Sequence, residues 1–190
     1  MDSDNPSGAD NQQERSGLSD WLEGIPSDLG HYIAGFVEGE GSFNVPIIRK
    51  RYGSLPFRVT LSFNVSQLGS EMPMLLKTSF GTGRVRGRGD GVFYFEVTRP
   101  QDLEGTVFPF FDVYRLRGPK AQDLSVFREI TSLVRSGRHL TLEGFEAILM
   151  LRSPMNRGGK RRRCDEEIIA ALKAGNPQRP YAELPFEAKG

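Results

Sequence analysis

Two glutamates, Glu38 and Glu40, close the stretch Ile33-Ala34-Gly35-Phe36-Val37-Glu38-Gly39-Glu40-Gly41. Leu29, Tyr32, Ile33, Phe36 and Val37 recur at helical spacing and predict one buried face, with Ser27 or Asp28 as the cap and Gly41-Ser42 as the stop. Carboxylates at a helix C-terminus meet the negative pole of the macrodipole, and a bound cation would reverse the sign of that interaction. Gly35 and Gly39, four residues apart, share a face about a quarter turn from the apolar stripe. Each costs about 1 kcal/mol relative to alanine inside a helix. Close approach of another helix accounts for both; a weak helix or an intramolecular contact is the plainer alternative. A symmetry mate on that face would bring its own Glu40 to the same axis, and carboxylates that close repel unless metal lies between them. Taken alone, Glu40 reads as an ordinary exposed acid.

The elements that must position this helix end are legible. Phe57, Val59, Leu61, Phe63 and Val65 alternate with Arg58, Thr60, Ser62, Asn64 and Ser66, which predicts a half-buried strand. Phe43, Val45 and Ile47 predict a shorter strand before it, connected through Tyr52-Gly53-Ser54. A helix over 72–80 ends at Gly81, and strands over 84–88 and 92–98 turn at Gly89-Asp90-Gly91. Helices follow over 101–111, 119–136, 142–152 and, more weakly patterned, 165–174. The order predicts an α+β domain with an antiparallel sheet. One sheet face would carry Ser42, Asn44, Ile48 and Lys50, then Arg58, Thr60, Ser62, Asn64 and Ser66, then Arg84, Arg86 and Arg88, then Tyr94 and Glu96. Arginine can bridge guanine and asparagine can pair with adenine, so this is a base-reading vocabulary. A solvated face is the bland reading; three arginines in register without acidic partners favour nucleic acid. Strands of roughly 8–10 residues would follow about eight base pairs of major groove.

The 190 residues bound the alternatives. A charged fraction of 26% against 37% hydrophobic fits a globular protein. No apolar run is long enough to span a membrane. One cysteine, Cys164, makes neither an intrachain disulfide nor a thiolate zinc site, and a reducing compartment follows. His31 and His139 read as packing residues. The net charge of +1 hides an asymmetry: residues 1–30 carry seven acids and one base, whereas Ser42 to Asp90 holds eight bases and two acids. The basic segment suits a polyanion. Residues 1–27 read as an acidic, largely disordered tail, with Leu18, Trp21, Leu22 and Ile25 as a short docking element. Residues 28–157 form the domain, and 158–190 a basic loop with a C-terminal helix and tail. Arg157, Lys160, Arg161, Arg162 and Arg163 would contact phosphates, with a nuclear-targeting signal or a solvated loop as the other readings.

The helical stretch resembles the LAGLIDADG motif of homing endonucleases, and Ser42-Phe43 continues it. Ser62-Phe63-Asn64-Val65-Ser66-Gln67, Leu116-Arg117-Gly118-Pro119-Lys120, and His139-Leu140-Thr141-Leu142-Glu143-Gly144 leading to Met155-Asn156 are similar to later landmarks of that family. The resemblance covers about residues 28–157 with one motif copy. It implies an αββαββα fold with a saddle-shaped sheet, and a homodimer meeting through Ala34, Gly35, Glu38 and Gly39.

By the same resemblance Glu40 is the metal-binding acid and Gly39 lends its carbonyl to the metal. Gln67 positions the hydrolytic water, and Lys120 or Arg117 lies near the scissile phosphate, Pro119 leaving the choice open. Arg117 would also touch DNA. Glu38 caps and orients, and Glu71 receives no role. Phosphodiester hydrolysis requires an activated water and charge neutralisation, both within reach of Mg²⁺, or of Mn²⁺ or Ca²⁺ in the same sites, held by oxygen ligands. The function implied is a site-specific, intron-encoded endonuclease that cuts a long pseudopalindromic duplex and leaves short 3′ overhangs. A non-catalytic binder, such as an intron RNA maturase or a regulator, is the alternative. The arginine-rich composition fits a bacterial cytoplasm, with an organelle as the other location.

Overall fold

The computed structural model describes residues 20–50, 56–156 and 165–173. The tail through residue 19 with Leu18, the Tyr52-Gly53-Ser54 connection, the basic cluster Arg157, Lys160, Arg161, Arg162 and Arg163, Cys164 and residues 174–190 lie outside them. A short helix α1 (Asp20–Glu23) precedes α2 (Ser27–Glu40). Four strand segments follow: β1 (Gly41–Asn44), β2 (Ile47–Arg49), β3 (Phe57–Val59) and β4 (Ser62–Leu68). Next come α3 (Glu71–Phe80), β5 (Arg84–Gly87) and β6 (Val92–Val97). The helical remainder is α4 (Pro100–Asp102), a π-turn over Leu103–Val107, α5 (Phe108–Val113), α6 (Pro119–Arg135), a 3₁₀ turn over Arg138–Leu140, α7 (Leu142–Arg152) and α8 (Asp165–Lys173).

The α+β class and the helix–hairpin–helix–hairpin–helix order match the sequence reading. Two boundaries differ. Helix α2 begins at Ser27, so neither Ser27 nor Asp28 caps it; Pro26 holds the extended cap position (φ −55°, ψ 140°) without a side-chain bond. The first hairpin is not one pair of long strands. β1 pairs with β4 and β2 with β3, so the chain breaks at Pro46 and around Thr60-Leu61. Proline has no amide proton for a ladder. Instead the Pro46 carbonyl accepts both the Thr60 N–H (3.0 Å) and its hydroxyl (2.9 Å), which pins the bend.

The main sheet is antiparallel, in the order β1-β4-β6-β5. Its inner face carries Phe43, Phe63, Val65, Phe95 and Val97, all buried against helices. Phe43 stacks on Phe63 with centroids 5.1 Å apart, and Phe80 on Phe95 at 5.7 Å. Phe110 meets Phe80 edge-on at 4.8 Å. Such aromatic clusters give a stiff core for a sheet covered on one side. Helix α2 is seated by Gly30, whose missing Cβ would lie 2.2 Å from the Tyr114 ring. The Tyr114 hydroxyl donates to the Ile25 carbonyl (3.1 Å), and His31 meets its ring edge-on at 5.3 Å, a packing contact near the helix start.

Candidate active site and nucleic-acid face

The helix end and the sheet are joined covalently: Glu40 is the last residue of α2 and Gly41 the first of β1. Gly41 allows this, since a Cβ there would lie 2.5 Å from the Val37 side chain and 2.7 Å from its carbonyl. Gly41 pairs with Val65, so the end of α2 runs alongside the β4 segment that leads through Ser66 to Gln67. Glu40 and Gln67 are both exposed there.

Glu38 points elsewhere. One carboxylate oxygen accepts the Arg117 N–H (3.0 Å) and the other the Lys120 N–H (3.3 Å). Pro119 and Lys120 open α6, so Glu38 supplies an acceptor to a helix N-terminus about 80 residues away. Gly118 makes room; a Cβ there would sit 2.4 Å from a Glu38 oxygen. Glu38 is thus an acceptor for amides at the α6 N-terminus. It also brings the Arg117 and Lys120 backbone to the last turn of α2.

Gly35 and Gly39 are exposed, and a Cβ at either would meet nothing within 4 Å. Among the described residues, no intramolecular contact explains these glycines. Tyr32, 54% exposed, lies on the same side of the helix. Ala34 is not on that face: it is 5% exposed and belongs to the core beside Ile33 and Val37.

The donor set at the helix end fits half of a divalent-cation site. The last turn of a helix leaves carbonyls without intrahelical donors; the Val37 carbonyl is taken here by the Gly41 N–H. The Glu40 carboxylate and the neighbouring Gly39 carbonyl are hard oxygens suited to Mg²⁺, Mn²⁺ or Ca²⁺. Glu38 is committed to backbone amides, and among the described residues no three His, Cys, Asp or Glu side chains gather into a metal cluster.

The outer sheet face assembles the remaining residues in rows. Ser42, Asn64, Glu96 and Arg84 are successive cross-strand neighbours; so are Ser66, Tyr94 and Arg86. Asn44 stands opposite Ser62, and Ile48 opposite Arg58 on the smaller sheet, where the half-buried Lys50 follows. The arginines are not without acidic partners. Glu96 accepts from Arg84 Nη2 (2.6 Å) and Nε (3.1 Å), and Arg88 Nε donates to Asp90 (2.8 Å) and Nη1 to the Tyr94 hydroxyl (3.0 Å). Arg86 lies over the Tyr94 ring at 5.0 Å. Ser62 is buried at 6% and its hydroxyl donates to Glu96 (2.9 Å), which withdraws it from base contact. Burial pushes the Glu96 carboxyl up, but the Arg84 and Ser62 hydrogen bonds outweigh it and hold Glu96 below its usual range. The Arg88 hydrogen bond likewise keeps Asp90 low.

Asn156 has no role legible in the sequence. It is the sole non-glycine described residue with positive φ (51°), and it contacts β1 across more than 110 positions. A spacing rule does not reach that far.

Residues 33–131 match the LAGLIDADG endonuclease family. The chain is 30% identical over 131 residues to the probable intron-encoded endonuclease 2 of Neurospora crassa, covering 67% of this chain and 29% of that protein. It is 28% identical over 126 residues to the DNA endonuclease I-CeuI of Chlamydomonas moewusii, covering 63% of this chain and 58% of the relative. The homing endonuclease I-TnaI superposes with a TM-score of 0.66 at 29% identity, over 76% of this chain and 96% of that one. The meganuclease I-SmaMI bound to uncleaveable DNA gives 0.66 at 28% identity, over 79% and 51%. The chain spans only 29%, 23% and 40% of the length of three intron-encoded relatives it matches. With a motif on α2, an antiparallel sheet and an ordered set of landmarks all in agreement, the chain belongs to the LAGLIDADG endonuclease family.

Proposed function

We propose that this chain is a homodimeric, divalent-metal-dependent, site-specific double-strand DNA endonuclease of the intron-homing type. The observation that carries the reading is the exposed end of α2, where Glu40 stands beside the uncovered Gly35 and Gly39. Two copies meeting on that face place two Glu40 carboxylates at one seam, and each chain's half-site becomes a whole one. Glu40 and the Gly39 carbonyl would hold the metal, which when bound would supply charge neutralisation and a lowered pKa for water.

The chain's own residues do the rest. Gln67, at the end of β4, orients the water through its amide. Lys120 or Arg117, held at the helix end by Glu38, offsets charge that develops on the phosphate. The outer sheet face reads the major groove, with the Glu96 and Asp90 contacts fixing the arginine heads before DNA arrives. Two sheets related by a twofold axis read a long pseudopalindrome, and cleavage near its centre leaves short 3′ overhangs.

The test uses duplexes selected from a randomised library by binding in Ca²⁺. Wild-type protein is expected to cut the selected duplex when Mg²⁺ is added, whereas Glu40→Gln binds and leaves it intact. Cutting by Glu40→Gln would remove the metal-ligand role, and retention of RNA in preference to duplex would favour the maturase reading.

A further inference from the structure

β1 is an edge strand of the main sheet, paired only with β4. Its outer edge is not open. The carbonyls of Phe43 and of Val45 just past the strand, two residues apart and so directed to the same side, are taken by side chains from the end of α7 and the turn that follows it. Asn156 Nδ2 donates to the Phe43 carbonyl (2.7 Å), and Arg152 Nη1 to the Val45 carbonyl (2.8 Å). Arg152 is buried and also pairs with Asp165 at the start of α8. Asn156 is itself held from behind, its N–H donating to Asp123 on α6 (3.2 Å).

Asn156 reaches past the backbone to the two β1 side chains on the DNA-facing side. Its Nδ2 donates to Asn44 Oδ1 (3.2 Å), and its Oδ1 accepts from the Ser42 hydroxyl (3.3 Å). Both side-chain protons and one oxygen of Asn156 are thereby engaged. An asparagine amide is planar, with acceptor and donor on opposite arms. Anchoring Oδ1 on Asn156 turns the Nδ2 arm of Asn44 away from it. A free Asn reads adenine by using both arms together; one held in this way presents donors first.

We propose that Asn156 is a positioning residue that sets the base preference of Asn44, making Asn44 a hydrogen-bond donor to a guanine or thymine acceptor in the major groove. The proposal rests on the DNA-reading function above and deepens it. Asn156 touches no base; it acts through Asn44 and Ser42.

The sign of the effect can be reversed. Asn156→Asp has acceptors on both arms, so Asn44 turns its Nδ2 inward and its Oδ1 outward. Outward Oδ1 accepts from adenine N6 or cytosine N4. Asn156→Gly keeps the positive φ but removes the tether, and it serves if the Asp variant does not fold. Each full-length protein is used, in Ca²⁺, to select duplexes from a randomised library. Wild type is expected to enrich guanine or thymine at the position facing Asn44. The Asp variant should enrich adenine or cytosine there, the Gly variant should relax the preference, and positions read by β5 and β6 should keep theirs. A general loss of structure would weaken all positions together. Unchanged preference in both variants overturns the proposal, as does a wild-type preference for adenine at that position. Wild type that enriches no duplex would instead count against the DNA-reading function. The tether is judged separately in the free protein: Asn156 side-chain amide protons should exchange with solvent several-fold more slowly than those of the exposed Gln122. Equal rates would overturn it without reference to DNA.

Discussion

Replacing Glu38 by alanine leaves two backbone amides, those of Arg117 and Lys120, without their acceptor at the start of α6. Hydrogen bonds to a charged group contribute about 1.5–3 kcal/mol each, but the exposed Arg117 amide recovers much of its share from water. Loss of a helix N-terminal acceptor typically costs about 0.5–2 kcal/mol. Together these set the expected destabilisation of Glu38→Ala at about 2 kcal/mol. For a chain of this size about 2–4 °C of melting temperature accompanies each kcal/mol, so Tm should fall by about 4–8 °C. Glu38→Gln keeps one acceptor oxygen and should lose about half as much. Because the same bonds hold Arg117 and Lys120 at the helix end, single-turnover cleavage should fall more steeply than duplex affinity. Thermal unfolding by circular dichroism, with binding and cleavage on a selected duplex, measures all three. An unchanged Tm and an unchanged cleavage rate for Glu38→Ala would refute the reasoning.

Gly35→Ala should raise the stability of the isolated chain by about 0.5–1 kcal/mol, because the helix gains an alanine and the new methyl meets nothing within 4 Å. The bulkier Gly35→Leu should abolish the dimer on DNA, as read by sedimentation. Glu96 is held below its ordinary range in the fold, so its contribution is fully present above the unfolded value of about 4.3 and is lost as the pH falls below it. Glu96→Gln should therefore flatten the acid limb of a pH–stability curve between about pH 5 and 3, measured by urea unfolding.

The fold was legible wherever a local pattern carried it. The alternation of Phe57 to Val65 predicts an inner and an outer face, and Phe63, Val65 and their partners sit as the pattern requires. Pro46 was the available signal for the break in the first hairpin, but its consequence depends on Thr60, in the gap between β3 and β4, reaching the Pro46 carbonyl. The burial of Ala34 follows from its place beside Ile33 and could have been counted with the apolar stripe. The partners of Arg84 were beyond reach, since only the register of β5 on β6 sets it opposite Glu96. Asn156 was least legible of all: its side-chain contacts need a positive φ and lie on one strand, β1, more than 100 residues earlier.

The most direct measurement of the central claim is the separation of the two Glu40 carboxylates in a crystal of the protein with a selected duplex and Ca²⁺. Two chains are expected to meet through Gly35 and Gly39, with both carboxylates at one metal-bearing seam over the centre of the duplex. A single chain on the duplex, or two chains with their Glu40 side chains far apart, would contradict it.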